Sequence, residues 1–189
     1  TLFKFKKQKK IGLALGSGGA KGIAHIGALR AFEEEGVSFD LVAGSSIGSI
    51  VGAMYAQGYS SASMLEYVKQ LQLDDPLTLI KMKLCGITPE KILHQAFGGK
   101  LIEELELPFC AVAVNIATGE QVDLKSGCIA QAVLASSAIP PLFKPVQIAD
   151  NQLIDGAFRN AVPANTLKSM GADFVIGISL GNELPTNEI

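Results

Sequence analysis

The five residues at positions 44–48, Gly-Ser-Ser-Ile-Gly, constrain the fold of this chain more than any other part of the sequence. A short apolar run at 39–43 precedes them, and apolar residues at helical spacing follow them. A strand, a tight turn and a helix with a serine at the apex form a nucleophile elbow. Gly44 and Gly48 suit this turn because it strains the serine backbone and packs its neighbours against the helix. Ser46 is therefore a candidate catalytic nucleophile.

The rest of the chain alternates apolar strands with helical patterns. Strands are predicted at 11–15, 39–43, 109–114 and 174–179, a partner strand at 121–124, and a hairpin from 146–148 and 152–154. Helices are predicted at 20–35, from the elbow to about residue 58, around 64–71, from Thr88 onward and at 129–134. This alternation predicts an α/β fold, a three-layer α/β/α sandwich with a central, largely parallel sheet.

The length and charge distribution indicate one domain behind a basic start. A chain of 189 residues that is 48% hydrophobic suits one well-buried domain. No repeat or linker divides it, so we expect a lead-in at 1–10 and a single domain at 11–189. Five lysines lie in the lead-in, and the remaining 11 Lys and Arg face 18 Asp and Glu, which argues against nucleic-acid binding. The lead-in has two interpretations. It contacts an anionic membrane surface, or it is a solvent-exposed basic segment that precedes the first strand.

The cysteines and histidines indicate neither a disulfide framework nor a metal site. Cys85, Cys110 and Cys128 are odd in number and lack Cys-x-x-Cys spacing. No cluster of His, Cys or carboxylate residues has ligand spacing, so we expect no metal and no cofactor. No cleavable signal is evident, because glycines and a lysine break the apolar run after the basic start. We therefore expect a cytoplasmic protein, with peripheral membrane contact as an option, and no membrane span in the uncharged stretch 41–65.

A glycine-rich loop at 16–22, Gly-Ser-Gly-Gly-Ala-Lys-Gly, joins the first strand to the first helix. Backbone N–H groups at a helix start can hold a phosphate or an oxyanion. The loop is not a Walker A motif, because Lys21 precedes glycine, and its third glycine comes one residue late for a dinucleotide fingerprint. The elbow follows on the next parallel strand, so we expect a nucleophile and an anion hole to lie side by side.

A serine nucleophile needs a base. The two histidines, His25 and His94, lie within helical patterns and not after a late strand, where a hydrolase triad would place one. We expect them to be packed or solvated helix residues. Asp155 is the better candidate because it ends an apolar strand, although an ordinary turn aspartate before glycine is the alternative when the position is taken alone.

Three motifs in this chain order resemble the signatures of the patatin-like phospholipase family. They are the glycine loop ending in Ala-Lys-Gly at 20–22, the elbow at 44–48 and Asp-Gly-Ala at 155–157. Three further stretches resemble small bacterial members of that family: Ala-Ser-Ser-Ala-Ile-Pro at 135–140, Asn-Ala-Val-Pro at 160–163 and Met-Gly-Ala-Asp at 170–173. The likeness runs from about residue 11 to residue 180, nearly the whole chain.

This resemblance implies a function and a role for each motif. The family hydrolyses acyl esters of lipids with a Ser–Asp dyad on a three-layer α/β/α fold. The resemblance makes Ser46 the nucleophile and Asp155 its base. It assigns the oxyanion hole to the backbone of Ser17, Gly18, Gly19 and Ala20, and supporting positions to Lys21, Gly22, Gly44, Gly48, Gly156 and Ala157. The chain departs from the family at Ser17, where a glycine is common, and at Lys21, where an arginine is common.

The expected function is hydrolysis of a lipid or related acyl ester through an acyl-enzyme, of the phospholipase A, lysophospholipase or esterase type. Two alternatives remain open at this point. A nucleotide-binding α/β protein would use the glycine loop for a pyrophosphate, but it leaves Ser46 and Asp155 unexplained. A catalytically silent regulatory module would keep all three motifs. The apolar stretch at 73–86 is a candidate for a mobile flap over the acyl chain.

Overall fold

The computed structural model describes residues 9–71 and 88–181. Three predicted features lie outside these residues: the basic start as far as residue 8, Cys85, and the candidate flap at 73–86.

The described strands form one mixed sheet. They are β1 (Ile11–Leu15), β2 (Leu41–Ser45), β3 (Phe109–Asn115), β4 (Gln121–Leu124), β5 (Val146–Ile148), β6 (Asn151–Asp155) and β7 (Phe174–Ile178). Strands β7, β1, β2 and β3 are parallel neighbours in that order. Strands β4 and β6 pair antiparallel with β3, and β5 pairs antiparallel with β6. The predicted parallel core is confirmed, with a group of antiparallel strands added beyond β3.

Helices cover both faces of this sheet. The described helices are α1 (Ile23–Glu34), α2 (Ile47–Ala56), α3 (Ser61–Leu71), α4 (Pro89–Phe97), α5 (Ile129–Ser136) and α6 (Ala164–Ser169). As the sequence predicts, Thr88 caps α4, because its hydroxyl accepts a hydrogen bond of 3.3 Å from the N–H of Lys91. None of the helices within the described ranges combines the length and the apolar character needed to cross a membrane.

Alternating strand residues divide the interior into two apolar cores. Leu13 and Leu15 of β1 pack in the larger core with residues of α1 to α5. Ala14, between them, lies in the smaller core with Leu167 of α6. Side chains along a strand alternate between faces, so this division follows from the strand geometry. The three-layer α/β/α sandwich expected from the sequence is confirmed.

Two of the boundaries that differ from the sequence prediction lie at the elbow and the glycine loop. The second strand is predicted at 39–43, but β2 ends two residues later because Gly44 pairs with Leu15 and Ser45 pairs with Val112. The first two elbow residues are therefore part of the sheet, and the turn begins at Ser46. The first helix is predicted from residue 20, but a short 3-10 turn at Gly19–Gly22 precedes α1.

The pairing of β3 places the ends of two strands next to each other. Val112 of β3 pairs with Ser45, the last residue of β2. The next residue of β3, Ala113, pairs with Asp155, the last residue of β6. Strand β4 pairs with both of these β3 residues and so occupies the opposite edge. Strands β2 and β6 therefore share one edge of β3, enter from opposite directions and end about one residue apart, roughly 3.3 Å along the strand.

Gly48 sets how closely the elbow helix approaches β1. A methyl group at Gly48 would overlap the backbone of Leu15 and Gly16. Backbone cannot move aside as a flexible side chain can. We expect Gly48→Ala to lower the free energy of unfolding by about 3 kcal/mol or more, measured by urea denaturation.

Gly27→Ala provides the matched control within α1. A methyl group at Gly27 would meet open space. Alanine also favours a helix over glycine, so this change should raise stability by up to about 1 kcal/mol. Equal stability of the Gly48→Ala variant and the wild-type protein would contradict the close packing of the elbow helix on β1.

Candidate active site

Ser46 lies at a sharp turn between β2 and α2. Its backbone has φ of 54° and ψ of −127°. Positive φ is uncommon for a residue with a side chain, and such strained conformations cost about 1–3 kcal/mol each. The side chain is buried, with 6% of its surface exposed. The strained serine that the elbow motif predicts is therefore present.

Hydrogen bonds satisfy both backbone polar groups of this strained residue. The N–H of Ser46 donates to the hydroxyl of Ser136 at 3.0 Å. The same Ser136 hydroxyl donates to the carbonyl of Val112 at 2.6 Å, so it bridges the elbow to β3. The carbonyl of Ser46 accepts from both the N–H and the hydroxyl of Ser49, at 2.8 and 2.7 Å. These bonds help to offset the strain at Ser46.

Three hydrogen bonds hold the start of the glycine loop. The N–H of Gly16 donates to the carbonyl of Ile178 at 2.9 Å, and the N–H of Ser17 donates to the carbonyl of Ala161 at 2.9 Å. The carbonyl of Gly16 accepts from Nε2 of His25 at 2.7 Å. A carbonyl only accepts, so His25 carries a proton on Nε2. The loop is thus fixed between β7, α1 and the segment that follows Asp155.

The loop presents fewer backbone donors than the four predicted. The N–H of Ser17 is engaged by Ala161, so we restrict the predicted oxyanion donors to Gly18, Gly19 and Ala20. The N–H groups of these three residues form no hydrogen bond with another residue in the described ranges. Gly19 has φ of 55°, which favours glycine.

Gly22 and Lys21 end the glycine loop. A methyl group at Gly22 would overlap the side chain of Ile47, the first residue of α2. This close contact places the loop beside the elbow, as the order of the motifs predicts. Lys21 is exposed and lies within the 3-10 turn.

Asp155 ends β6 and is almost fully buried, with 1% of its surface exposed. Its Oδ1 atom accepts from the N–H of Ala157 at 2.8 Å. Its own N–H donates to the carbonyl of Ala138 at 2.9 Å. A methyl group at Gly156 would overlap the Val112 carbonyl and crowd the Ser45 hydroxyl, so the turn after Asp155 packs closely on the end of β2.

Burial raises the pKa of Asp155 above its ordinary value. This effect outweighs the lowering by interactions with the Ser46 side chain and the Ala157 backbone. Ser46 is thus near enough to affect the carboxyl, yet Oδ2 has no hydrogen bond of good geometry with any residue in the described ranges. Hydrogen bonds between a nucleophile and its base often align only when substrate binds. Ser46 and Asp155 therefore lie close together, as the order of the motifs predicts.

The histidines occupy the helical positions that the sequence predicts. His25 is fully buried, and burial lowers its pKa more than the bond to Gly16 raises it. It is therefore neutral at pH 7 and supports the glycine loop. His94 lies on the exposed side of α4. The sequence analysis does not predict the contact of His25 with Gly16.

A polar network ties the loop after Asp155 to the sheet. The side-chain amide of Asn160 donates to Gln121 of β4 at 2.9 Å and to Asn165 at 2.7 Å. Gln121 in turn donates to Asp123 at 2.6 Å. These bonds give Asn160 of the Asn-Ala-Val-Pro stretch a structural role, which no local pattern indicated.

Other features of the described chain lie apart from this pair. The first of two surface cavities, of about 680 Å³, lies between the end of α2 and residues 100–107. The second, of about 720 Å³, lies between α1 and α3, and Ser46 and Asp155 line neither cavity. Within residues 9–71 and 88–181, no group of three or more His, Cys, Asp or Glu residues is placed to hold a metal ion. Cys110 is buried, which raises the pKa of its thiol and makes it unreactive, and Cys128 is half-buried.

The contribution of the Ser136 bridge to stability can be tested by comparing alanine variants of Ser136 and Ser137. Ser136→Ala leaves the Ser46 N–H and the Val112 carbonyl without this partner. Each buried group left unsatisfied costs about 1–3 kcal/mol, so we expect a loss of about 2–4 kcal/mol in the free energy of unfolding, measured by urea denaturation.

Ser137→Ala is the control for this change. The Ser137 hydroxyl is buried and has no hydrogen-bond partner among the described residues. Its removal should change stability by less than about 0.5 kcal/mol or raise it slightly. Similar losses in both variants would show that the Ser136 bridge does not stabilise the elbow.

Comparison with known proteins gives matches over most of the chain. Residues 13–168 match the family model described as patatin-like phospholipase. This match begins in β1, ends in α6 and includes both Ser46 and Asp155.

The curated relatives are much longer proteins. Patatin-like phospholipase domain-containing protein 6 of Homo sapiens is 37% identical over 195 residues, which cover 94% of this chain and 14% of that protein. Lysophospholipase NTE1 of Debaryomyces hansenii is 28% identical over 193 residues, which cover 96% of this chain and 12% of that protein. The chain thus spans about one seventh of the length of these relatives or less.

A solved structure supports the fold. The crystal structure of VipD from Legionella pneumophila aligns with a TM-score of 0.51 at 18% identity, over 78% of this chain and 46% of that chain. At this identity the likeness concerns the fold alone. The family match covers most of the chain and the site motifs occur in the expected order, so the chain belongs to the patatin-like phospholipase family.

Proposed function

We propose that this chain is a serine hydrolase that cleaves acyl esters of lipids or related compounds through an acyl-enzyme. The observation that carries this proposal is the meeting of β2 and β6 on one edge of β3, which brings the strained Ser46 to the buried Asp155. Membership of the family supports ester hydrolysis, and a relative named lysophospholipase supports a lipid substrate. A cytoplasmic location with peripheral membrane contact completes the proposal.

In the acylation step, Asp155 accepts the proton of the Ser46 hydroxyl while Oγ attacks the ester carbonyl carbon. The carbonyl oxygen becomes an oxyanion, which the N–H groups of Gly18, Gly19 and Ala20 stabilise. When the tetrahedral intermediate collapses, the bond to the alcohol breaks, and the alcohol leaves with the proton from Asp155. The acyl group then remains on Ser46.

Deacylation repeats the same proton transfers with water. Asp155 accepts a proton from water as the water oxygen attacks the acyl carbon. The second tetrahedral intermediate releases the carboxylic acid and returns the proton to Ser46. The start of α2 lies directly after Ser46, and the positive end of a helix favours negative charge developing at this point.

The raised pKa of Asp155 suits the role of base. A carboxylate with a raised pKa takes up a proton more readily, and the Ser46 hydroxyl requires such a base near neutral pH. The neutral, Gly16-bound His25 has no part in this proton transfer.

Hydrolysis of a series of esters with increasing acyl length tests the proposed function. We expect the wild-type protein to turn over medium- or long-chain esters and lysophospholipids, and Ser46→Ala to lower kcat by about 1,000-fold or more. Ser137→Ala is the matched control and should retain turnover.

Three outcomes separate the alternatives. Unchanged turnover in Ser46→Ala would contradict the assignment of the nucleophile. Absence of ester turnover with thermal stabilisation by a nucleotide would favour the nucleotide-binding alternative. Absence of both, in a folded protein, would favour the silent regulatory module.

Asp155→Asn should change activity and stability in opposite directions. Loss of the base should lower kcat by about 10²–10⁴-fold. The folded pKa lies above the ordinary value of 3.8, so ionised Asp155 is disfavoured in the folded state at neutral pH. Neutral asparagine removes that penalty, so stability at pH 7 should increase.

The stability gain should shrink as the pH falls towards 4, because the folded wild-type carboxyl becomes protonated. Thermal unfolding at pH 7 and pH 4 measures this difference. A variant that is less stable than wild type at pH 7 and equal to it at pH 4 would show that the ionised carboxylate is net stabilised, contrary to the direction of its pKa shift.

A further inference from the structure

Two loops that border Asp155 expose large apolar side chains. The first loop, 137–145, joins α5 to β5, and the second, 156–163, follows β6. Nine large apolar side chains are exposed within the described ranges, and four of them lie in these two loops: Ile139, Leu142, Phe143 and Phe158. Leu142 is 78% exposed and Phe158 is 61% exposed. Apolar exposure is thus concentrated beside the candidate active site.

Backbone hydrogen bonds fasten both loops to the catalytic aspartate. In the first loop, the carbonyl of Ala138 accepts from the N–H of Asp155 at 2.9 Å. The same loop folds back on itself through a bond of 3.0 Å from the N–H of Phe143 to the carbonyl of Ile139. The second loop begins at Asp155 itself and turns immediately through Gly156–Phe158. The exposed side chains are therefore carried on segments that are bonded to Asp155.

Each loop also places a positive charge next to its apolar side chains. Lys144 follows Phe143, and Arg159 follows Phe158. Both cations are exposed, and neither forms an ion pair with another residue in the described part of the chain. The two loops contain no Asp or Glu, and the segment between them has one exposed acid, Asp150. The exposed charged residues of 137–163 are therefore two cations and one acid, whereas the whole chain carries a net charge of −2.

We propose that these six residues, Ile139, Leu142, Phe143, Lys144, Phe158 and Arg159, form a rim that docks on an anionic lipid surface. The apolar side chains enter the interface, and the cations bind the anionic head groups. This docking rests on the proposed function, since it brings the loops that border Asp155 to the lipids that carry the scissile ester.

A lipid surface fits this rim better than a folded or helical partner does. None of the six rim residues lines either of the two cavities described above, and all six are exposed on loops between strands and helices. Apolar side chains on exposed loops with adjacent cations suit a fluid, negatively charged interface, which needs no matching shape.

Sedimentation with vesicles of ether-linked lipids tests the docking without turnover, because ether lipids have no acyl ester to cleave. Vesicles of neutral phosphatidylcholine are compared with vesicles that contain anionic phosphatidylserine, at low salt. We expect the wild-type protein to bind the anionic vesicles at least about tenfold more tightly. Absence of wild-type binding, or equal binding to both vesicles, would overturn the inference.

Two double variants test the two parts of the rim. Lys144→Gln with Arg159→Gln should weaken binding to anionic vesicles about 25-fold, since each basic residue near such a surface contributes about fivefold. Leu142→Ser with Phe158→Ser should weaken binding at least about tenfold. All four positions are exposed, so thermal unfolding should remain close to that of the wild type.

Matched controls distinguish the rim from other sources of binding. Lys6→Gln with Lys7→Gln removes the same charge from the basic start, and Val37→Ser removes an exposed apolar side chain at the other end of the sheet. Binding that depends on the lysine control and not on the rim variants would overturn the inference in favour of the basic start.

Two further outcomes are decisive. Rim variants that change the oligomeric mass in sedimentation, and leave vesicle binding unchanged, would show that the rim joins two copies of the chain. Rim-dependent vesicle binding by a protein that cleaves no ester would support the docking while contradicting the proposed function.

Discussion

One edge of β3 is the constraint on which the site depends. Strands β2 and β6 pair with the same edge from opposite directions and end at Val112 and Ala113. This meeting places an elbow serine and a carboxylate together from parts of the chain that are far apart. A shift of one residue in either register would turn the affected side chains to the other face of the sheet. The proximity of Ser46 and Asp155 therefore follows from sheet pairing.

The site combines two features that are unfavourable for folding. Ser46 has a strained backbone, and Asp155 holds a carboxyl in a buried position. Hydrogen bonds around both residues offset part of this cost, through Ser136 and Ser49 at the elbow and Ala157 at the aspartate. The same burial that disfavours ionised Asp155 raises its pKa and makes it a better base. Stability and reactivity thus act against each other at this position.

Local patterns in the sequence predicted the elements that depend on neighbouring residues. The elbow at 44–48 and the Thr88 cap require only a few adjacent positions, and the structure has both. The role of Asp155 is less predictable from local sequence, because aspartate before glycine is common in turns. Only the order of Asp155 with the other two motifs distinguishes it from an ordinary turn residue.

Contacts between distant residues were not predictable from local patterns. The bond from Ser46 to Ser136 joins residues 90 positions apart. The engagement of the Ser17 N–H depends on Ala161, which lies in a loop placed by β6. Because such partners are set by tertiary packing, spacing along the chain does not reveal that the Ser17 N–H binds Ala161 or that Ser136 binds the elbow.

The most direct test of the central claim, that Ser46 is the nucleophile served by Asp155 and the glycine loop, is a crystal structure of the protein after reaction with a long-chain phosphonate ester. We predict a covalent bond from phosphorus to Oγ of Ser46, with the phosphoryl oxygen about 2.7–3.1 Å from one or more N–H groups of Gly18, Gly19 and Ala20. The Asp155 carboxylate should face Oγ. An adduct on a different residue, or a phosphoryl oxygen directed away from the loop with Asp155 turned from Ser46, would contradict the account.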